Sequence, residues 1–230
     1  MTDQTVWKGF KAGAPIGMGY FPIAVAFGAL AVKAGLTWWE ASLMSSLVYA
    51  GASQFVGVSM LMADTGILQI IMATLILNLR HLVMSLGVNY RMRRFPAAGR
   101  RIFSLGITDE TFALLTMGRG GSGKKTLSPR LTAGIMGAAY LGWVAGTAAG
   151  ALSAGWIPEG VTKAMTVGLY ALFIGLLIPA VRDARGPAVT AAAGMALSAL
   201  FYLILAPGWA IILAALAASG LGMLLGEKGR

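Results

Sequence analysis

Apolar residues run through this chain in long stretches that do not alternate with polar ones. Ala12–Val32, Ala41–Ala63, Leu131–Pro158, Ala164–Val181 and Gly186–Gly226 each lack any charged residue. A helix of about 20 apolar residues crosses the hydrocarbon core of a bilayer. Solid rather than alternating apolarity excludes the strands of a membrane barrel. The pattern predicts spanning helices near 39–62, 66–88, 131–153, 162–181, 188–206 and 208–226, with Pro207-Gly208 turning between the last two. The first run is interrupted by Gly13, Pro15, Gly17, Gly19, Pro22 and Gly28. It reads as a kinked span or as a broken, re-entrant one, with Pro15, Gly19 and Pro22 as the candidate break or gate. Leu105–Met117 is too short to span and lies between two basic segments, so it is expected to be interfacial or re-entrant. The predicted fold is an all-α integral membrane protein. It is a polytopic bundle of six to seven spanning helices with one or two broken segments, forming a single transmembrane domain over 1–230.

Composition agrees with this reading. Of 230 residues, 57% are hydrophobic and 11% charged, against roughly a quarter charged in soluble domains. The formal charge of +10 is no nucleic-acid signature, because the basic residues sit between apolar runs, where topology places them. The segments 89–104 and 118–130, with Lys33, Arg182, Arg185, Lys228 and Arg230, are expected on the cytoplasmic side together with the C-terminus. Lys163 is expected outside, and Lys8 and Lys11 depend on whether the first run spans. The chain lacks cysteine and has one histidine, His81. Neither a metal site nor any other cofactor is expected.

Two polar stripes carry candidate chemistry. The helix over 39–62 holds Ser42, Ser45, Ser46, Tyr49 and Ser53, with Gln54 beside them; the next holds Thr74, Asn78, His81 and Ser85. Spacings of three and four place each set on one helical face. The two faces are expected to meet or to share a cavity, which serves either a substrate or a purely structural network. Candidate substrate-binding residues are Tyr49, Ser53, Gln54, Asn78 and Arg80. Arg80 either snorkels to the nearer membrane surface or binds a carboxylate, from a substrate or from Asp109 or Glu110. Those two acids open a short segment, where the helix dipole alone favours them. They and His81 are the candidates for ion coupling.

Two familiar motifs fail. Gly118-Arg-Gly-Gly-Ser-Gly-Lys-Lys lacks the Ser or Thr that holds magnesium in a phosphate loop, and no strand precedes it. Gly51-Ala-Ser-Gln with His81 suggests an intramembrane serine protease, but no further element of such a site accompanies it. No catalytic residue is assigned.

Four stretches carry a resemblance: Gly-Tyr-Phe-Pro-Ile-Ala-Val-Ala-Phe-Gly (19–28), Met-Ser-Ser-Leu-Val-Tyr-Ala-Gly-Ala-Ser-Gln-Phe (44–55), Leu-Asn-Leu-Arg-His-Leu-Val-Met-Ser (77–85) and Thr-Asp-Glu-Thr-Phe-Ala-Leu (108–114). In order and spacing these resemble the AzlC/YgaZ family, the large subunits of branched-chain amino acid exporters. Ala-Leu-Phe-Ile-Gly-Leu-Leu-Ile-Pro (171–179) resembles it too, but Gly168-Leu169-Tyr170 stands where a leucine–aspartate–phenylalanine triplet is expected. The resemblance implies a secondary transporter of the inner membrane, working with a small AzlD/YgaH-type membrane subunit. The small-residue spacings Ala214-Ala218 and Ala218-Gly222 are expected to dock that partner. A channel or structural membrane subunit is the competing reading.

Overall fold

The computed structural model describes residues 5–92, 95–117, 127–158, 185–205 and 207–227, and single positions 160, 167, 171, 174, 177, 178, 181 and 182. Most of the helix expected near 162–181, the triplet position 168–170 and most of the basic segment 118–130 lie outside the described residues. The rest is helical, and no strand occurs among the described residues. The helices are α1 (Val6–Lys33), α2 (Trp38–Val48), α3 (Gly51–Met62), α4 (Ile67–Asn89), a 3-10 turn (Tyr90–Met92), α5 (Ala97–Leu105), α6 (Asp109–Met117), α7 (Pro129–Leu152), α8 (Arg185–Tyr202) and α9 (Pro207–Glu227). Of these, α1, α4 and α7 are long and apolar enough to cross a membrane.

Residues 1–55 and 77–166 form one compact unit, and 56–76 with 167–230 a second. The axis of the first unit is the pair α1 and α7. A Cβ added at Gly13 would lie 2.5 Å from the Ile135 carbonyl oxygen, and one at Gly17 the same distance from that of Ala138. On α7, Gly142 faces Gly17, Gly146 faces Phe21, and Gly150 faces Val25. The two backbones touch because glycine leaves no side chain between them. Residue numbers rise together along the contact, so α1 and α7 run parallel. Lys8 and Lys11 therefore share an end with Arg130, and Lys33 lies at the other. This corrects the placing of Lys33 with the basic segments.

The first apolar run is not broken. Helix α1 passes through Pro15 and Pro22 without interruption, held along its length by the backbone contact with α7. Gly19 faces open space. Thr5 caps the start, its hydroxyl accepting from the Lys8 amide. The end is a Schellman turn: Leu36 N–H donates to Ala31, Gly35 N–H to Val32, and Gly35 has φ +93°.

The break falls instead inside the helix expected over 39–62. At Tyr49 the backbone turns left-handed, with φ 44° and ψ 46°, a conformation that costs a side-chain-bearing residue about 1–2 kcal/mol. Helix α2 starts at a capping box of Thr37 and Glu40. It descends along α7 from Thr147, which bonds Ser45, to Tyr140, which bonds the Ser46 carbonyl. Helix α3 then doubles back: Gly51 lies against Trp143, and the Phe55 ring meets Phe27.

A second hairpin mirrors the first. The segment 89–104 is not a loop but the end of α4, a 3-10 turn and α5. Helix α5 climbs back along α4, where the Ser85 hydroxyl donates to the Ser104 carbonyl. The chain turns at 106–108, and α6 returns, with Phe112 beside Gly87 and the Thr116 carbonyl accepting from Arg91. The segment expected over 105–117 is therefore α6 with a tip before it. The first hairpin opens toward the Lys33 end of α1 and the second toward the Val6 end. Val88, Met92, Phe95, Ile107, Leu115, Leu127, Ile135 and Met136 form the core under the second hairpin.

In the second unit, α8 and α9 pack on each other. Ala214 and Ala218 are buried, a Cβ on Gly194 would touch Ala218, and one on Gly222 would strike Thr190. The small-residue spacings of α9 thus serve the pairing with α8 and are not an open docking face. Met60, Ala73 and Ile212 form a second small core.

Candidate functional site

The tips of the two hairpins reach the middle of α1 and α7. Thr108 begins α6 with a reciprocal cap: its amide donates to the Thr111 hydroxyl at 2.8 Å, and the Thr111 amide to the Thr108 hydroxyl at 3.4 Å. This presents Asp109 and Glu110 at the tip, where the positive end of the helix also favours them. The Tyr20 hydroxyl, at the midpoint of α1, lies 2.8 Å from the Thr108 hydroxyl and donates to the Glu110 carboxylate. Asp109 pairs with Arg80 of α4 at 2.8 Å, both side chains about three-quarters to two-thirds covered. Of the two readings of Arg80, the ion pair with Asp109 is the one observed.

His81 Nδ1 lies 2.7 Å from the Ile107 carbonyl. A carbonyl only accepts, so Nδ1 carries a proton and donates it to this bond. Nε2 is buried and has no hydrogen-bond partner among the described residues, as have the Asn78 Oδ1 and the Tyr49 hydroxyl. A buried polar atom without a partner costs about 1–3 kcal/mol. The Tyr49 ring packs on Tyr140 with centroids 5.0 Å apart.

The other predicted residues do different work. Gln54 is fully buried. Its Oε1 accepts from the Ala50 amide freed by the helix break, at 3.2 Å, and from Trp143 Nε1 at 3.0 Å. Its Nε2 donates to the Ser45 hydroxyl at 3.0 Å, which bonds Thr147 at 2.7 Å. This chain of bonds satisfies the break and fastens the first hairpin to α7. The two polar stripes thus bond to different partners, α7 and the second hairpin. Gln54→Ala strands Trp143 Nε1 and the Ala50 amide. At about 1–3 kcal/mol for each of the two unsatisfied groups and about 2–4 °C per kcal/mol in a chain of this length, the melting temperature in detergent falls by about 4–24 °C. An unchanged melting temperature would show that the network does not hold the break. Ser53 donates to the Ala50 carbonyl at 2.9 Å, and His81 is engaged with Ile107, so no Ser53–His81 bond is formed. Pro15, Gly19 and Pro22 lie on the unbroken α1.

Sequence reasoning did not single out Tyr20, Thr108, Tyr140, Trp143 or Thr147. Tyr20 lies within the Gly-Tyr-Phe-Pro stretch, and its central position in the first apolar run is the signal that could have found it.

Comparison with known proteins fits this geometry. The model of the family described as AzlC protein matches residues 15–157, which contain both hairpins, α4, α7 and α1 from Pro15 onward. An "Uncharacterized membrane protein" of Archaeoglobus fulgidus is 35% identical over 91% of this chain and 90% of its own length. The inner membrane protein YgaZ of Escherichia coli is 31% identical, over 83% of this chain and 79% of its own. No solved structure matches. The family model spans the segments that build the site, and both relatives cover most of the chain: the chain is a membrane protein of the AzlC family.

Proposed function

We propose that this protein exports branched-chain amino acids, driven by an ion gradient and completed by a small AzlD/YgaH-type membrane subunit. The observation that carries the reading is the gathering of Arg80, Asp109, Glu110, Tyr20 and His81 at the mid-helix tip of the second hairpin, with further buried polar atoms on Tyr49 and Asn78 that have no partner among the described residues. Broken helices whose tips meet at mid-membrane are how many transporters present polar groups to a solute. A zwitterionic amino acid needs a carboxylate donor, an ammonium acceptor and an apolar slot. Arg80 supplies the donor. The Asn78 Oδ1 is an acceptor, one helical turn from His81 on α4, and the carboxylates of Asp109 and Glu110 are further acceptors at the tip of α6. Phe27 and Phe55 offer apolar surface nearby.

The orientation follows from charge. Lys8, Lys11, Arg91, Arg100, Arg101 and Arg130 gather at the Val6 end of the first unit, which the positive-inside rule places in the cytoplasm. The first hairpin then enters from outside and the second from the cytoplasm.

The test is counterflow in proteoliposomes carrying the chain with and without its small partner. Radiolabelled valine and leucine should accumulate saturably with the partner present, and glutamate should not. Absence of gradient-dependent uptake of any zwitterionic amino acid by the two-subunit complex would overturn the reading.

A further inference from the structure

A cavity outside this site remains unexplained. It has a volume of 530 Å³ and is lined by Asn89, Ala97, Arg100, Arg101, Ser104 and Leu105, between the last turn of α4 and helix α5. We propose that it holds the phosphate headgroup of an anionic phospholipid.

Three features point to an anion. Arg100 and Arg101 both line the cavity, and no carboxylate pairs with either among the described residues. Guanidinium groups bind phosphate oxygens through paired, charge-assisted hydrogen bonds. Ala97 opens α5, whose cap position is Pro96, with no side-chain hydrogen bond to its first amides. Those free amides and the helix dipole add to the same positive field. Asn89 contributes an amide that can donate to a phosphate or glycerol oxygen.

A further pair of features points to a lipid rather than free phosphate. Helix α5 has no buried residue, and Ile102 and Leu105 are 68% and 82% exposed. A short helix that carries both arginines and bare aliphatic side chains suits the membrane–water boundary. Asn89, which lines the cavity, also stands at the end of an apolar track on α4. Leu82, Leu86 and Asn89 fall on one face of α4 at spacings of four and three, and both leucines are exposed. A headgroup at Asn89 and the arginines would lay an acyl chain along Leu86 and Leu82. The cavity therefore offers a charged end for the phosphate and an apolar strip for the tail, at the depth where a lipid has both.

The experiment uses the purified full-length protein in a neutral detergent. Phosphatidylglycerol, phosphatidylcholine or inorganic phosphate is added, and binding is read from melting temperature and from lipid retained in native mass spectra. Phosphatidylglycerol is expected to raise the melting temperature saturably, and phosphatidylcholine and inorganic phosphate to have little effect. The double variant Arg100→Gln/Arg101→Gln should weaken phosphatidylglycerol binding about 25-fold, roughly fivefold for each arginine near an anionic headgroup. Lys33→Gln, at the other end of α1, should leave it unchanged. Leu86→Asn should weaken lipid binding without moving any response to inorganic phosphate, which separates loss of the tail track from loss of the charge. The two variants are compared only as monodisperse protein. Should the double variant not be recovered, Arg101→Gln alone is expected to show the fivefold loss. Equal binding of phosphatidylglycerol and phosphatidylcholine, or equal saturation by inorganic phosphate, would overturn the proposal, as would undiminished binding by the arginine variants.

Discussion

Gly17→Leu and Gly13→Leu should abolish recovery of folded protein, while Gly19→Leu should leave it at the wild-type level. The first two glycines face backbone on α7, with 2.5 Å between an added Cβ and a carbonyl oxygen. A carbonyl in a helix cannot rotate away as a side-chain end can, so the two helices would have to separate along their length. Overpacking against movable side chains already costs about 1–3 kcal/mol, and total stabilities are about 5–15 kcal/mol. Here the contact runs from Gly9 to Gly28, so the wedge opens the axis of the whole first unit. Gly19, two residues from Gly17 on the same helix, has nothing within 4 Å. Leucine there should help slightly, since glycine is the poorer helix former by up to about 1 kcal/mol. Yield and monodispersity after detergent extraction decide the matter. Normal recovery of Gly17→Leu would mean that close backbone contact does not hold α1 and α7 together.

A second large effect is expected on flux. Asp109→Asn and Arg80→Gln should each lower amino acid transport by about 5–150-fold, equivalent to about 1–3 kcal/mol. The range follows from the partial cover of the pair. Exposed pairs contribute below about 1 kcal/mol, and breaking a fully buried one costs about 3–5 kcal/mol. The reversed pair, Arg80→Asp with Asp109→Arg, separates two roles. It restores the ion pair but moves the guanidinium from α4 to the tip of α6. If the pair only braces the hairpin, flux returns with stability. If Arg80 receives the substrate carboxylate, stability returns and flux does not. The second outcome is expected, and recovery of flux in the reversed variant would reduce the pair to a brace.

The membrane class and the general run of helices were legible in the sequence because uncharged stretches of this length have few other uses. Breaks were not. Proline and glycine marked residues 15–22 as the weak point, yet α1 stays whole because the same glycines let it lie directly on α7, more than a hundred residues away. The real break, at Tyr49, carries no breaker residue. It is stabilised by Gln54 and Trp143, and no local pattern shows that a glutamine will accept from an amide that a distant turn has freed. Within the site, Arg80, Asp109 and Glu110 were recognisable because charge in an apolar setting needs a reason. Their pairing came from the second hairpin, whose register on α4 is a tertiary property. Tyr20 was overlooked because one tyrosine in an apolar run is ordinary until the residue opposite it is known.

The parallel seam between α1 and α7 has a consequence for how the protein is made. About 95 residues separate Lys33 from Pro129. At about 5–20 residues per second, α1 waits about 5–20 s after leaving the ribosome before its partner exists. During that interval its glycine face meets lipid, and Ser45 of α2 has no Thr147 to bond. Helices α2 and α3, with 11 and 12 residues, are each about 17–18 Å long, too short for an insertion machinery to lodge as spans in a core about 30 Å thick. The first hairpin is therefore expected to reach its place beside α1 only after α7 is synthesised, as a late step of biogenesis. A ribosome stalled before residue 129 would hold a chain in which α1 is inserted and the hairpin is still accessible to water-soluble reagents.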